Sequence, residues 1–233
     1  MTDYLHSTEK HCDFCVYKSP LFNVLSKKEL NFINSNRLEV HFKAGEIIRK
    51  QGAFLSHVIS INQGMAKMYL EGLNNHDVIL KIVKGTNFIG GPGIYVDQRH
   101  HYTVKAIIET SACFLEVGAF KELLHNNSEF ADRFFEDFSR NTLATYDRLI
   151  NLTQKQIPGR MADAIIYLSE EIFEAKEFDL MLSKKDLGEL SGMSADSANK
   201  ILRSFREEGI IDLKGKLICI KDKEALHKIS KMG

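Results

Sequence analysis

The sequence predicts an α+β chain with three parts: an N-terminal double-stranded β-roll of the cupin-like jelly-roll kind, one long helix, and a C-terminal winged helix-turn-helix. Three observations carry that expectation. Residues 38–117 read as short strands rich in β-branched side chains and bounded by Gly or Asn. Residues 128–157 contain neither Gly nor Pro. Residues 183–220 hold two capped apolar stripes separated by Gly192 and followed by a basic-tipped hairpin.

In the first part the strand candidates are EIIRKQG (46–52), HVISINQGMAKMYL (57–70), HDVILKIVKGTNFIG (76–90) and TVKAIIETSACFLEV (103–117). NQG between two apolar runs is a hairpin signal. Several short strands at near-regular spacing, with no helices of 10–15 residues between them, favour a roll or barrel over an α/β sheet. In the second part Phe130, Phe134, Phe138, Leu149 and Leu152 stand near helical spacing. One helix over 128–157 would be about 45 Å long. Such a helix outruns the roll beside it, and a second copy of itself would cover its remaining apolar face. Pro158-Gly159 then marks a break and a hinge. The domain boundaries read as 1–127, 128–157 and 158–233.

In the third part Ser183 stands at an N-cap with Asp186 at the third helical position, and Leu187 and Leu190 face inward. Gly192 ends that helix and Ser194 caps the next, whose apolar stripe is Ala198, Ile201, Leu202 and Phe205. This is helix-turn-helix spacing. Gly209 closes the second helix, and IIDLKGKLICI folds back around Lys214-Gly215-Lys216 as a wing. The candidate DNA-contacting set is therefore Ser194, Ala195, Asp196, Ser197, Asn199, Lys200 and Arg203 on the second helix, with Lys214 and Lys216 on the wing. Asn pairs bidentately with adenine, Lys donates to guanine and Asp accepts from cytosine, while cations further along meet phosphate.

Composition bounds the partners. Of 233 residues 44% are hydrophobic, ordinary for a soluble protein, and 31 basic residues balance 31 acidic ones, so any polyanion site is local. The last 75 residues hold 13 Lys plus Arg against 14 Asp plus Glu, yet ANKILRSFR has three cations and no acid. No apolar run nears the ~20 residues that span a bilayer, and MTDYLHSTEK lacks the order of a secretory signal, so a cytoplasmic chain with no membrane partner is expected. Cys12, Cys15, Cys113 and Cys219 do not make a disulfide framework in a chain of this length, so reduced thiols are expected.

The order of parts, with KAGEIIRKQG (43–52), NQGMAKMY (62–69), GTNFIG (85–90) and LSKKDLGELSGMSADSANKILRSFREEGII (182–211), resembles the CRP/FNR family of bacterial transcription regulators over nearly the whole chain. The resemblance implies a homodimer on a pseudo-palindromic site, with one recognition helix per half-site. It also implies an N-terminal sensor acting through the long helix, and contacts with RNA polymerase. The recognition helix departs from the family's Arg-Glu-Thr-Val-Ser-Arg pattern, with Ala195, Asp196, Asn199 and Lys200 at four of its positions. A different half-site is expected.

The resemblance also poses the question of what is sensed. Nucleotide-binding members carry Gly-Glu in the segment matching NFIGGPGIYVDQRHHYTVKA (87–106), then Arg-Ser about ten residues on. Here Gly91 stands at the glutamate position and His100-His101 at Arg-Ser, with Arg99 one residue early. The inherited effector pocket would comprise Phe88, Gly90, Gly91, Arg99, His100 and His101. Cyclic AMP is not expected there, because neutral histidine cannot replace a guanidinium. Iron–sulfur members cluster cysteines near the N-terminus and add one from the roll. Cys12, Cys15 and Cys113 match in part, with His11 or His6 as a further ligand, Cys219 lying in the wing. A thiol redox switch and ordinary structural thiols remain open alternatives. So does haem or a small apolar ligand in a roll cavity lined by Ile61, Leu80 and Ile89. Tandem histidines on a strand point to opposite faces, and a pair of surface histidines in a turn is expected.

The expected function is a homodimeric, sequence-specific transcription regulator controlled by an effector or redox signal in the roll. A DNA-binding protein without an effector is the nearer alternative, and a dithiol redox enzyme using Cys12 and Cys15 the more distant one. No Ser-His-Asp set, Walker loop or paired-carboxylate spacing appears, so no catalytic residue and no enzyme activity are expected.

Overall fold

The computed structural model of the chain describes Cys12, Cys15 and residues 17–233. They form two compact units, one drawn from residues up to Leu70 and from Ile82–Thr142, the other from Glu71–Lys81 and Leu143–Gly233. No helix among the described residues is long and apolar enough to cross a membrane. His6 and His11 lie outside the described residues.

The first unit opens with a 3-10 turn (Pro20–Val24) and α1 (Lys27–Ser35). A capping box starts α1: the Ser26 hydroxyl accepts from the Glu29 N–H, and the Glu29 carboxylate accepts from the Ser26 N–H at 2.8 Å. The strands of the roll are β1 (Arg37–Phe42), β2 (Ile47–Arg49), β3 (His57–Gln63), β4 (Met65–Leu70), β5 (Val78–Lys84, whose first four residues are counted with the second unit), β6 (Phe88–Ile89), β7 (Thr103–Ala106) and β8 (Thr110–Glu116). They build two four-stranded sheets, in the orders β1-β8-β3-β6 and β2-β7-β4-β5, which is the expected roll.

NQG is not a hairpin. β3 pairs with β8 and β6, whereas β4 pairs with β7, so Gly64 carries the chain from one sheet to the other. Its φ is +91°, and a Cβ there would lie 2.3 Å from the Glu109 carbonyl oxygen. A hairpin turn and a corner between sheets both call for glycine at positive φ, so sequence alone does not separate them. The runs 76–90 and 103–117 are likewise each two strands, and β7 and β8 belong to different sheets.

β3 is buried on both faces. Ile59 and Ile61 alternate with Val58 and Ser60, and Val58 joins an apolar layer formed with Leu21, Phe22, Leu30 and Ile33. That layer continues into α2 (Val117–Asn126) and the start of α3 (Ser128–Gln154) through Phe120, Phe130 and Phe134.

The long helix is shorter than expected. It ends at Gln154, and α4 (Ile157–Tyr167) begins with Gln156 as its N-cap and Pro158 and Gly159 inside its first turn. The break thus falls at Lys155–Gln156, ahead of the proline. Proline lacks an N–H that the first helical turn does not use, so it opens a helix here instead of ending one.

The second unit continues with a π-type turn (Leu168–Ile172), β9 (Glu177–Asp179), α5 (Lys184–Ser191), α6 (Ala195–Glu207), β10 (Ile211–Lys214), β11 (Leu217–Ile220) and α7 (Lys223–Met232). The wing is a three-stranded sheet, β10-β11-β9. Strand β9 and helix α7 were not anticipated. The first is only three residues long, and the second is capped by Asp222, whose carboxylate accepts from the Ala225 N–H at 2.8 Å.

Candidate nucleic-acid interface and sensor cavity

The reading head is built by two caps and a tight turn. Ser183 and Asp186 form a capping box on α5, and Gly192 ends that helix in the left-handed conformation at φ +63°. The Ser194 hydroxyl accepts from the Ser197 N–H at 3.1 Å and starts α6. Ala198, Leu202 and Phe205 are buried, which turns the opposite side of α6 outward. Asp196, Lys200, Arg203 and Arg206 are exposed there, and Ala195, Ser197 and Asn199 are half-buried at its edge. Lys214 and Lys216 are exposed at the wing tip, on either side of Gly215. Lys214 has only a 3.9 Å approach to Asp212, so the wing cations are available for phosphate.

Gly90 and Gly91, expected at the opening of the effector pocket, lie close against aromatic side chains. A Cβ on Gly90 would meet the Phe88 ring at 2.7 Å, and one on Gly91 would meet the Tyr102 hydroxyl at 3.1 Å. A side chain at Gly91 would require the Tyr102 ring to give by a few tenths of an ångström. Arg99 is exposed and its Nη1 donates to the Gly52 carbonyl at 2.8 Å. His101 is exposed against Asp97 at 3.1 Å. His100, by contrast, is buried, with no hydrogen-bond partner for Nε2. The expected surface pair is therefore one exposed histidine, His101, and one interior histidine, His100, both lying ahead of β7. Burial, with the nearby charge of Arg49, pushes the His100 pKa down to about 4. Among the proposed cavity residues, Ile61 and Ile89 are tightly packed and Leu80 is half-buried.

A small cavity lies instead between the β1-β8-β3-β6 sheet and the N-terminal layer. It measures about 40 Å³, and Cys12, Cys15, Cys113, Arg37, Phe22 and Phe88 are among its lining. Arg37 ties it together: Nε lies 3.1 Å from the Cys12 sulfur and Nη1 lies 3.2 Å from the Cys113 sulfur. Asn62 donates to the same Cys113 sulfur at 3.1 Å. Burial pushes the Cys113 thiol up, against the opposing pull of Arg37 and Asn62. All described cysteines are free thiols.

This donor set does not fit an iron–sulfur cluster. A cluster takes four thiolates, whereas two thiols here converge on a guanidinium, itself a cation. Among the described residues no three His, Cys, Asp or Glu side chains come together as a metal site. Cys219 is in β11 of the other unit.

The cavity wall is continuous with α3. The Phe22 ring stacks on Phe130 at 5.9 Å and meets Phe88 edge-on at 6.0 Å, and Phe88 meets Phe134 at 6.2 Å. Sequence reading missed Arg37, Asn62 and Phe22. No local pattern marks the cavity, since the two sulfurs that Arg37 meets are 25 and 76 residues away, although Arg37 also donates to the nearby Asn34 Oδ1 at 3.2 Å.

A β-roll followed by a long helix and a winged helix-turn-helix with an exposed polar recognition face defines a two-part DNA-binding regulator. Two family models match and together cover most of the chain: "Cyclic nucleotide-binding domain" over residues 39–127 and "Crp-like helix-turn-helix domain" over residues 159–229. Electron transport regulator A of Shewanella oneidensis is 25% identical over 190 residues, covering 80% of this chain and 76% of that protein. The fumarate and nitrate reduction regulatory protein of Escherichia coli K12 is 22% identical, covering 94% of this chain and 90% of that one. The structure of FixK2 from Bradyrhizobium japonicum superposes with a TM-score of 0.76 at 17% identity, covering 83% of this chain and 96% of that one. The chain belongs to the CRP/FNR family of DNA-binding transcription regulators.

Proposed function

We propose that the chain works as a homodimer that reads a pseudo-palindromic DNA site with α6, and that its signal enters at the thiol cavity and not as a cyclic nucleotide. The observation that carries the reading is α6 itself, capped by Ser194, anchored by Ala198, Leu202 and Phe205, and presenting Asp196, Lys200 and Arg203 outward. Two such helices about 34 Å apart enter successive major grooves. Leu143, Tyr146, Leu149 and Ile150 are exposed along α3 at helical spacing, an apolar seam that a second copy would cover. As a transcription regulator in the cytoplasm it would meet RNA polymerase.

Binding to genomic fragments at about 150 mM salt tests the reading, because non-specific contacts weaken there. A preferred site is expected. Lys200→Ala should cost ~1–3 kcal/mol at that site and relax one base position, whereas Lys216→Ala should weaken all sequences alike. Equal losses on cognate and random DNA for both variants would overturn the assignment.

The Arg37 bridge favours a redox signal as the second part of this reading. A hydroperoxide would accept two electrons from Cys12 and Cys113, leaving as alcohol and water while the sulfurs join and lose their two protons. The names of the two relatives, concerned with electron transport and with fumarate and nitrate reduction, point the same way. Cys113→Ser should keep the base preference and lose any response of DNA binding to peroxide; an unchanged response would exclude this pair.

A further inference from the structure

The last two turns of α3 lie against the turn of the helix-turn-helix. Arg148 of α3 donates through Nη2 to the carbonyl of Leu190, and Arg160 of α4 donates through Nη1 to the carbonyl of Gly192 at 2.9 Å. The same Arg160 nitrogen lies 3.5 Å from the carbonyl oxygen of Leu152. Leu190 and Gly192 sit at the C-terminal end of α5, where carbonyls lack partners within the helix and the helix dipole is negative. Leu152 fills the remaining space: a Cβ on Gly192 would lie 2.4 Å from its Cδ2.

Stability alone does not explain two arginines at this spot. Burial pushes Arg148 down to about 10, so it remains charged at neutral pH at a desolvation cost. Both Nε atoms are buried with no hydrogen-bond partner. An apolar side chain of similar volume would pack there without that cost. What the guanidiniums add is direction, because each fixes one carbonyl of the segment that runs through Gly192 and Met193 into the Ser194 cap of α6. A salt bridge from Lys155 to Asp163 at 2.7 Å, with Asp163 also accepting from Ser230 of α7, braces the corner between α3 and α4.

We propose that Arg148, Arg160 and Leu152 are positioning residues for DNA recognition: they clamp the α5–α6 turn to the end of α3. The separation and angle of the two recognition helices in a dimer then follow α3, and the link at Lys155–Gln156 does not set them. The inference rests on the dimeric DNA-binding reading above.

Half-site spacing tests it on the full-length chain. Duplexes carry the preferred half-site twice, with the centre-to-centre distance at its optimum or changed by one or two base pairs. Each added pair rotates one half-site by about 35°. The wild-type chain is expected to bind the optimal spacing best. In the Arg148→Met/Arg160→Met double variant that advantage should fall about tenfold or more, while base preference within a half-site and binding to a single half-site stay unchanged. Arg148→Lys keeps a donor and should retain most of the spacing preference.

A double variant with the wild-type spacing preference would overturn the clamp. So would one that loses base preference together with spacing, since that marks a damaged head and not a freed one. If the wild-type chain shows no preferred half-site, the underlying reading fails and the clamp with it.

Discussion

The reading head and the thiol cavity are opposite solutions to the problem of placing a few polar groups on an apolar scaffold. In the head, every polar group of interest lies within a short stretch of chain and points outward, positioned by helix caps and by an apolar stripe on the reverse side. In the cavity, Cys12, Arg37 and Cys113 are brought together from a lead-in, the start of β1 and the middle of β8, and they face inward under an aromatic layer. The head is a local construction, and its chemistry could change by substitution on α6 alone. The cavity depends on the whole layer that covers it.

That contrast is sharpest at Phe120, fully buried and in ring contact with Phe88, Phe130 and Phe134 at 5.2–5.6 Å. Phe120→Ala should cost ~3–5 kcal/mol of stability in the first unit, read as a lower urea midpoint. The base preference of α6, measured at a temperature where the variant remains folded, should be unchanged. A shift in that preference would show that the two regions are not built independently.

The same contrast explains what was legible. The recognition face followed from period and caps: once Ser183, Gly192 and Ser194 were placed, burial of Leu202 and Phe205 fixed which side faced out. The roll was legible as a class, through strand-rich runs bounded by glycine, but its topology was not. Gly64 has the same signature in a hairpin and in a sheet-to-sheet corner, and only the pairing of β3 with β8 decides between them. The end of α3 was misplaced because Pro158 reads as a stop when seen from upstream and as a first-turn residue when seen from α4. Arg37 and Arg148 left no trace in local sequence, since a guanidinium bound to a distant sulfur or carbonyl looks like any surface arginine.

A smaller effect tests the local side. The Ser194 hydroxyl satisfies the Ser197 N–H at the start of α6 and also approaches the Ser197 hydroxyl at 2.9 Å. Ser194→Ala should cost ~1 kcal/mol in the second unit and lower DNA affinity without changing which base is preferred. Hydrogen exchange along α6 reads the fraying directly. An α6 equally protected in the variant would mean that the turn, held by its neighbours, needs no cap.

The smallest effect at neutral pH, and the most specific to the interior of the roll, belongs to His100. Its Nε2 is buried without a partner, and its pKa is pushed down to about 4 from 6.5 by burial first, then by the charges of Arg49 and His101. The folded state therefore holds the ring neutral over a range in which the unfolded chain takes up a proton. Where the unfolded state binds more protons, stability rises with pH. The His100 contribution is thus complete above about pH 6.5, is lost progressively as pH falls toward 4, and loses no more below that. His100→Asn removes the titration, so the urea midpoint of the first unit should fall less between pH 6.5 and 4 in the variant than in the wild type. The second unit should show no difference between the two proteins over the same interval, since His100 is not part of it. Equal slopes for both proteins in the first unit would mean that the buried ring finds a proton acceptor in the folded state. That would place an acceptor beside the ring inside the roll, where the charge that acts most on it, that of Arg49 over the Phe114 ring at 4.4 Å, is a cation.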